Sequence, residues 1–224
     1  MTRVGVVTFP GACDDRDAAY ALRLIGAEPV SLWHEETDLR GCDAVIVPGG
    51  FTFGDHLRPG AIAAHSPVMG AVRAHAEAGG PVLGICNGFQ VLTEVGLLPG
   101  VLRPNAGLRF RCQDAELVVE RATPWLPGCA AGNRLTIPIK HHDGCWFADA
   151  ATLAELEQNG QILVRYADNP NGSVADVAGV TNRAGNVAAL MPHPEHAVEK
   201  LIGSTDGRIL LHGLLELARG KVAA

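Results

Sequence analysis

No stretch of this sequence approaches the roughly 18 uninterrupted apolar residues that a membrane-spanning helix requires, so no such helix is expected. Runs of basic residues are also missing, and 18 Lys and Arg against 24 Asp and Glu give a net charge of −6. A nucleic acid or an anionic membrane is therefore not an expected partner. The six cysteines (13, 42, 86, 112, 129, 145) show no paired spacing. Met1-Thr2-Arg3 runs straight into an apolar strand, leaving no room for a signal peptide. Both features predict reduced thiols in a cytoplasmic protein. Asn171-Gly172-Ser173 fits a glycosylation sequon, which a cytoplasmic chain never presents to that machinery, and it reads as a turn. No internal repeat, low-complexity tract or linker divides the chain, so residues 1–224 are read as one domain.

Nearly half of the residues are apolar, enough for a proper core. Val4 to Phe9, Pro29 to Trp33 and Asp43 to Val47 read as strands, with a helix opened by the Asp14-Asp15-Arg16-Asp17 cluster between the first two. Phe51 to Gly60 is glycine-rich and reads as a loop; a helix is expected over roughly Ala61 to Ala78. Strands alternating with helices imply a mostly parallel sheet flanked by helices. From Leu98 to about Ala148 the pattern changes to strand-like runs at 109–111, 116–121 and 135–139, which predict an antiparallel extension. A short helix at 152–159, a strand at 161–166, a hairpin from 174–181 and 186–191, and a terminal helix at 206–219 complete the expected α/β fold.

The chain is organised around Pro81 to Gln90. Val82, Leu83 and Ile85 form a short buried strand that stops at Cys86, and the residues from Phe89 to Val95 have helical spacing. Gly84 and Gly88 flank the cysteine at two residues on either side. A tight strand-to-helix turn crowds the backbone and needs flanks without a Cβ. This is the nucleophile-elbow frame with cysteine in place of serine. A lone cysteine is more often a small core hydrophobe; the Gly-x-Cys-x-Gly frame at a strand end favours a nucleophile. The backbone N–H of Asn87 and one from Pro48-Gly49-Gly50-Phe51, which follows the third strand in the same manner, are the expected oxyanion donors. Gly50 is preferred, with Gly49 and Phe51 as competitors.

Met191-Pro192-His193-Pro194-Glu195 supplies a base and its orienting partner. The two prolines hold His193 extended, and residues two apart in extended chain project to similar sides. Glu195 is thereby expected to reach the imidazole and set its tautomer. An isolated Pro-His-Pro-Glu is more often an ordinary loop; beside a cysteine elbow the balance reverses. His141, His142, Asp143 and Cys145 form one crowded cluster rather than the two spaced ligand pairs of a structural zinc site, so no metal is expected.

Gly84 to Gln90, Pro48 to Asp55 and Pro192 to Glu195 resemble the class I, triad-type glutamine amidotransferases, a family of flavodoxin-like α/β fold. The likeness runs over nearly the whole chain, through Asp55 to Ala61, Leu97 to Gly100, Ile137 to Ile139, and Arg165-Tyr166 with Asn171 to Ser173. Within the family the chain is most similar to the branch serving purine biosynthesis. The resemblance implies Cys86 as nucleophile, His193 as base and Glu195 as the residue orienting it. It also implies Gly50 and Asn87 as oxyanion donors, with Gln90, Phe51 and Thr52 around the glutamine. It further implies ammonia release through a γ-glutamyl thioester and transfer to a synthetase partner that converts formylglycinamide ribonucleotide to its amidine. A small accessory subunit would complete the assembly, and ATP and magnesium would sit in the synthetase. No cofactor is expected in this chain, which has no Gly-x-x-x-x-Gly-Lys-[Ser/Thr] loop. The competing expectation is a stand-alone cysteine hydrolase or stress protein of the related cysteine-elbow superfamily. Those often carry histidine directly after the cysteine, where this chain has Asn87. Two departures from the family pattern stand out: His141-His142-Asp143-Gly144 in place of His-Gly-Glu-Gly, and His196 in place of arginine.

Overall fold

The structure, a computed structural model, describes residues 1–220. Its centre is a nine-stranded sheet in the order β2-β1-β3-β4-β11-β10-β9-β6-β7. The parallel part consists of β1 (Arg3–Thr8), β2 (Glu28–Trp33), β3 (Ala44–Val47), β4 (Val82–Ile85) and β11 (Val187–Leu190). β3, β4 and β11 are buried at every position, as strands covered on both faces must be. Beyond β11 the sheet turns antiparallel through β10 (Val177–Thr181), β9 (Ile162–Tyr166), β6 (Arg111–Val119) and β7 (Arg134–His141). A separate ribbon pairs β5 (Val101–Arg103) with β8 (Cys145–Phe147). The mostly parallel sheet, its antiparallel extension and the β10–β11 hairpin agree with the reading from sequence.

The helices are α1 (Asp15–Leu24), α2 (Pro67–Glu77), α3 (Asn87–Glu94), α4 (Ala150–Asn159) and α5 (Gly207–Gly220). α2 begins six residues later than the apolar pattern over Ala61 to Ala78 suggests. Pro67 is the reason: it forces Ser66 into extended backbone and suits the first helical position. Ahead of it lies a separate 3-10 turn at Ala63–His65, and a further one at Thr52–Asp55 lies within the expected loop. α3 starts directly at Asn87 rather than at Phe89, because Cys86 itself is the cap of the helix. Of the expected run 109–111 only Arg111 enters a strand, and β6 ends at Val119 rather than reaching Arg121.

The parallel order places a topological switch between β1 and β3, where the chain leaves the sheet in opposite directions. Open α/β sheets hold ligands at the carboxyl ends of strands beside such a point. Here the loops after β1 and β3 meet in an isolated bridge between Ala12 and Gly50. Cys86 follows β4 and the His193 turn follows β11, which pairs in parallel with β4 as far as Leu190 opposite Ile85.

Candidate active site

Cys86 occupies the step from β4 into α3 with φ 50° and ψ −105°, a conformation that L residues rarely adopt. The strain is held from both sides. Cys86 N–H donates to Leu190 O at 2.9 Å, and Cys86 O accepts from Phe89 N–H at 2.9 Å. Gly88 lets α3 descend onto β3, since a Cβ there would lie 1.8 Å from Val47 O. The sulfur is buried and its S–H donates to Lys140 O at 3.8 Å. Burial pushes the Cys86 thiol well above its ordinary range, and the carboxylates of Asp14 and Glu195 add to the shift. Lys140 and the Asn87 N–H pull in the opposite direction. In the chain alone Cys86 therefore rests as a thiol.

His193 is fully buried and bonded through Nδ1 to Glu195 Oε1 at 2.7 Å. The reach is made differently from the extended-chain expectation. Pro194–His196 forms a 3-10 turn, and this turn brings the carboxylate back to Nδ1 of the ring. His193 N–H donates to Pro138 O at 2.8 Å, so β7 grips the histidine two residues from where it meets the sulfur. His193 Nε2 and Glu195 Oε2 have no hydrogen-bond partner, and the Sγ–Nε2 hydrogen bond is not formed. Burial drives both groups toward their neutral forms, lowering His193 to about 3 and raising Glu195 to about 8.

Gly50 N–H has no partner among the described residues, whereas Phe51 N–H is committed to Gly11 O at 3.0 Å. Asn87 is fully buried; its side chain receives Thr52 N–H at 3.3 Å and donates to Gln90 Oε1 at 2.7 Å. Gln90 Nε2 in turn donates to Asp143 O at 2.7 Å. Thr52, Asn87, Gln90 and Asp143 thus form one linked wall, with Thr52 Oγ1 buried and unpartnered. Phe51 stands half-exposed at the rim, its ring 6.5 Å from that of Phe110.

His141, His142, Asp143 and Cys145, close in sequence, each have their own partners. His141 Nδ1 lies 3.0 Å from Asn105 Oδ1, His142 Nδ1 lies 2.8 Å from Asp143 Oδ2, and Cys145 S–H donates to Gly172 O at 3.1 Å. A different set, Asp14, His193, Glu195 and His196, has oxygen and nitrogen atoms within 4.8 Å of one another. The Lys140 ammonium already sits on Asp14, and Glu195 occupies His193 Nδ1, so the set is an acid–base cluster rather than a metal cage. The sequence presents Asp14 only as part of the acidic cluster that opens α1 and gives Lys140 no role. The signal for Asp14 was its place after β1, at the switch point; nothing local singled out Lys140.

A thiol on a strained elbow beside a buried imidazole–carboxylate pair suits acyl transfer from an amide. Fold and site together put the molecule in the class of triad-type amidotransferases. The CobB/CobQ-like glutamine amidotransferase domain matches residues 1–208. The phosphoribosylformylglycinamidine synthase subunit PurQ of Rubrobacter xylanophilus is 56% identical over 218 residues, covering 97% of this chain and 99% of that protein. The PurQ subunit of Streptomyces coelicolor is 58% identical over 209 residues, 92% of each chain. A chain in the structure of PurLQS from Thermotoga maritima shares the fold with a TM-score of 0.88 and 40% identity, over 96% of this chain and 98% of that one. The chain belongs to the glutamine amidotransferase family, as a glutaminase subunit of the phosphoribosylformylglycinamidine synthase type.

Proposed function

We propose that Cys86, His193 and Glu195 hydrolyse glutamine to glutamate and ammonia. Cys86 passes its proton to His193 Nε2 and attacks the side-chain amide carbon. The oxyanion takes hydrogen bonds from the N–H groups of Asn87 and Gly50. His193 returns the proton to the departing nitrogen, ammonia leaves, and a γ-glutamyl thioester is left on the sulfur. Water, deprotonated by the same imidazole, then releases glutamate. Glu195 keeps Nδ1 protonated and balances the transient imidazolium. Gln90, Thr52 and Phe51 wall the bound glutamine.

Ammonia passes to a synthetase subunit, as the names of the PurQ relatives and the PurLQS assembly suggest, with a small accessory subunit completing the complex. The synthetase holds ATP and magnesium and converts formylglycinamide ribonucleotide to formylglycinamidine ribonucleotide in the cytoplasm. Among the described residues no helix is long and apolar enough to cross a membrane, in keeping with that location.

The observation that carries this reading is the 2.7 Å His193–Glu195 contact at the end of β11, immediately beside the strand that ends in Cys86. Its test is Cys86→Ala in the assembled complex. Glutamine-dependent synthesis should vanish, while synthesis from added ammonium salts continues. Loss of both activities would assign Cys86 a structural role instead.

A further inference from the structure

Asp14 stands at the N-terminal cap position of α1, yet its side chain makes no cap hydrogen bond. An aspartate there ordinarily accepts from the first helical N–H groups. It turns inward instead, with a side chain only 3% exposed. Oδ1 pairs with the Lys140 ammonium, and Oδ2 lies 3.6 Å from His193 Nδ1. The approach is built into the loop after β3: a Cβ on Gly49 would sit 2.3 Å from Asp14 Oδ2 and 2.8 Å from His193 Cε1. Lys140 touches both halves of the site, its ammonium on Asp14 and its carbonyl under the Cys86 sulfur.

We propose that Asp14 and Lys140 are a compensating ion pair that positions His193 and balances charge as the proton moves from Cys86 Sγ to His193. The transfer makes a thiolate and an imidazolium where neither existed. The Asp14 carboxylate favours the imidazolium and opposes the thiolate; the Lys140 ammonium does the reverse. Either alone would trap one protonation state, and together they leave the step close to balanced. This role rests on the glutamine-hydrolysis reading above.

The other groups facing His193 are Glu195 and His196 on its own turn, Asp17 from α1, His141 from β7 and Cys86 from the elbow. His196 stacks on the ring at 5.2 Å and reaches Asp17 Oδ2 at 3.1 Å. α5 directs Arg208 to Val198 O rather than to the imidazole. Asp14 raises and Lys140 lowers the pKa of Cys86, His193 and Glu195 alike. The sign of the expected effect is therefore the same whichever group limits the rate.

The test follows two pH profiles: alkylation of Cys86 by iodoacetamide in the full chain, and glutamine hydrolysis by the full chain with its synthetase partner. Asp14→Asn should move both profiles to lower pH and Lys140→Met should move both to higher pH. Each displacement should be at least roughly half a unit, or about threefold in alkylation rate below the midpoint. The double variant should return close to the starting profile. A lost charge with a merely structural role would not produce opposite displacements that cancel. If Asp14→Asn fails to fold, Lys140→Met carries the sign by itself. Shifts in one direction for both variants, or none in an otherwise active enzyme, would overturn the role of the pair. Continued glutamine hydrolysis by Cys86→Ala would instead overturn the reaction on which that role depends.

Discussion

At the residue scale, the site depends on a few side chains whose chemistry is set by what surrounds them. Replacing Glu195 by Gln keeps an oxygen that can accept from His193 Nδ1–H but removes the charge that would balance the imidazolium of the proposed mechanism. The glutaminase kcat is expected to fall roughly 10²- to 10⁴-fold with little change in KM. Steady-state kinetics on the complex check this, and a change confined to KM would refute it. Gly88 is a residue of shape rather than chemistry. The 1.8 Å approach of a new Cβ to Val47 O cannot be relieved without lifting α3 from β3. Gly88→Ala is therefore expected to destabilise the fold by about 3 kcal/mol in urea unfolding, and unchanged stability would contradict the packing described.

At the element scale, the region from β5 to β8 is held by buried asparagines rather than by apolar packing alone. Asn105 Oδ1 accepts from Gly144 N–H and lies 3.0 Å from His141 Nδ1, while its amide donates to the carbonyls of Arg109 and His141. Asn171, fully buried, donates to Gly144 O at 2.8 Å and accepts from Ser173 N–H and Oγ–H. Ser173 Oγ in turn receives Trp146 N–H of β8 at 3.0 Å. The apparent sequon is thus a polar clamp inside the protein, and more than a surface turn. Asn171→Ala strands these partners and should cost about 2 kcal/mol, measured as a lower urea midpoint with an unchanged slope.

At the scale of the whole molecule, two groups of buried residues tie stability and activity to pH. His141 is lowered to about 4 and His193 to about 3, both chiefly by burial. A histidine with a depressed folded pKa contributes stability above its unfolded value near 6.5 and loses it as pH falls through the folded value. His141 Nε2 is buried with no partner to receive a second proton's charge. The urea midpoint should therefore drop between pH 6.5 and pH 4, and less so in His141→Gln.

Glu195, raised to about 8 by burial, acts in the opposite sense. Its contribution is complete below its unfolded value and is lost as pH rises through about 8. In the proposed mechanism the same ionisation frees His193 to accept the thiol proton. Glutaminase activity of the unassembled chain should therefore climb toward pH 8 while stability declines, and the decline should be absent in Glu195→Gln. An activity profile flat from pH 6 to 9 would contradict this coupling. Because Cys86 rests as a buried thiol, the unassembled chain should also be slow at neutral pH and accelerate when the synthetase is added.

The sequence by itself determined the α/β class, the cysteine elbow and the histidine–glutamate pair, because each is written in consecutive residues. Gly-Ile-Cys-Asn-Gly after an apolar run favours a tight, glycine-flanked strand-to-helix turn, and two prolines leave His193 few conformations. Local pattern also gave the β10–β11 hairpin, while Pro67 moved the start of α2 against the apolar periodicity. Tertiary structure alone decided that β7, the outermost strand in the order, returns to place Pro138 and Lys140 against His193 and Cys86. It alone brought Asp14 to Lys140 across 126 positions of chain, and it turned the sequon inward. Such contacts depend on how far a twisted sheet curls and on which buried polar groups find partners. Neither quantity is carried by any short stretch of residues.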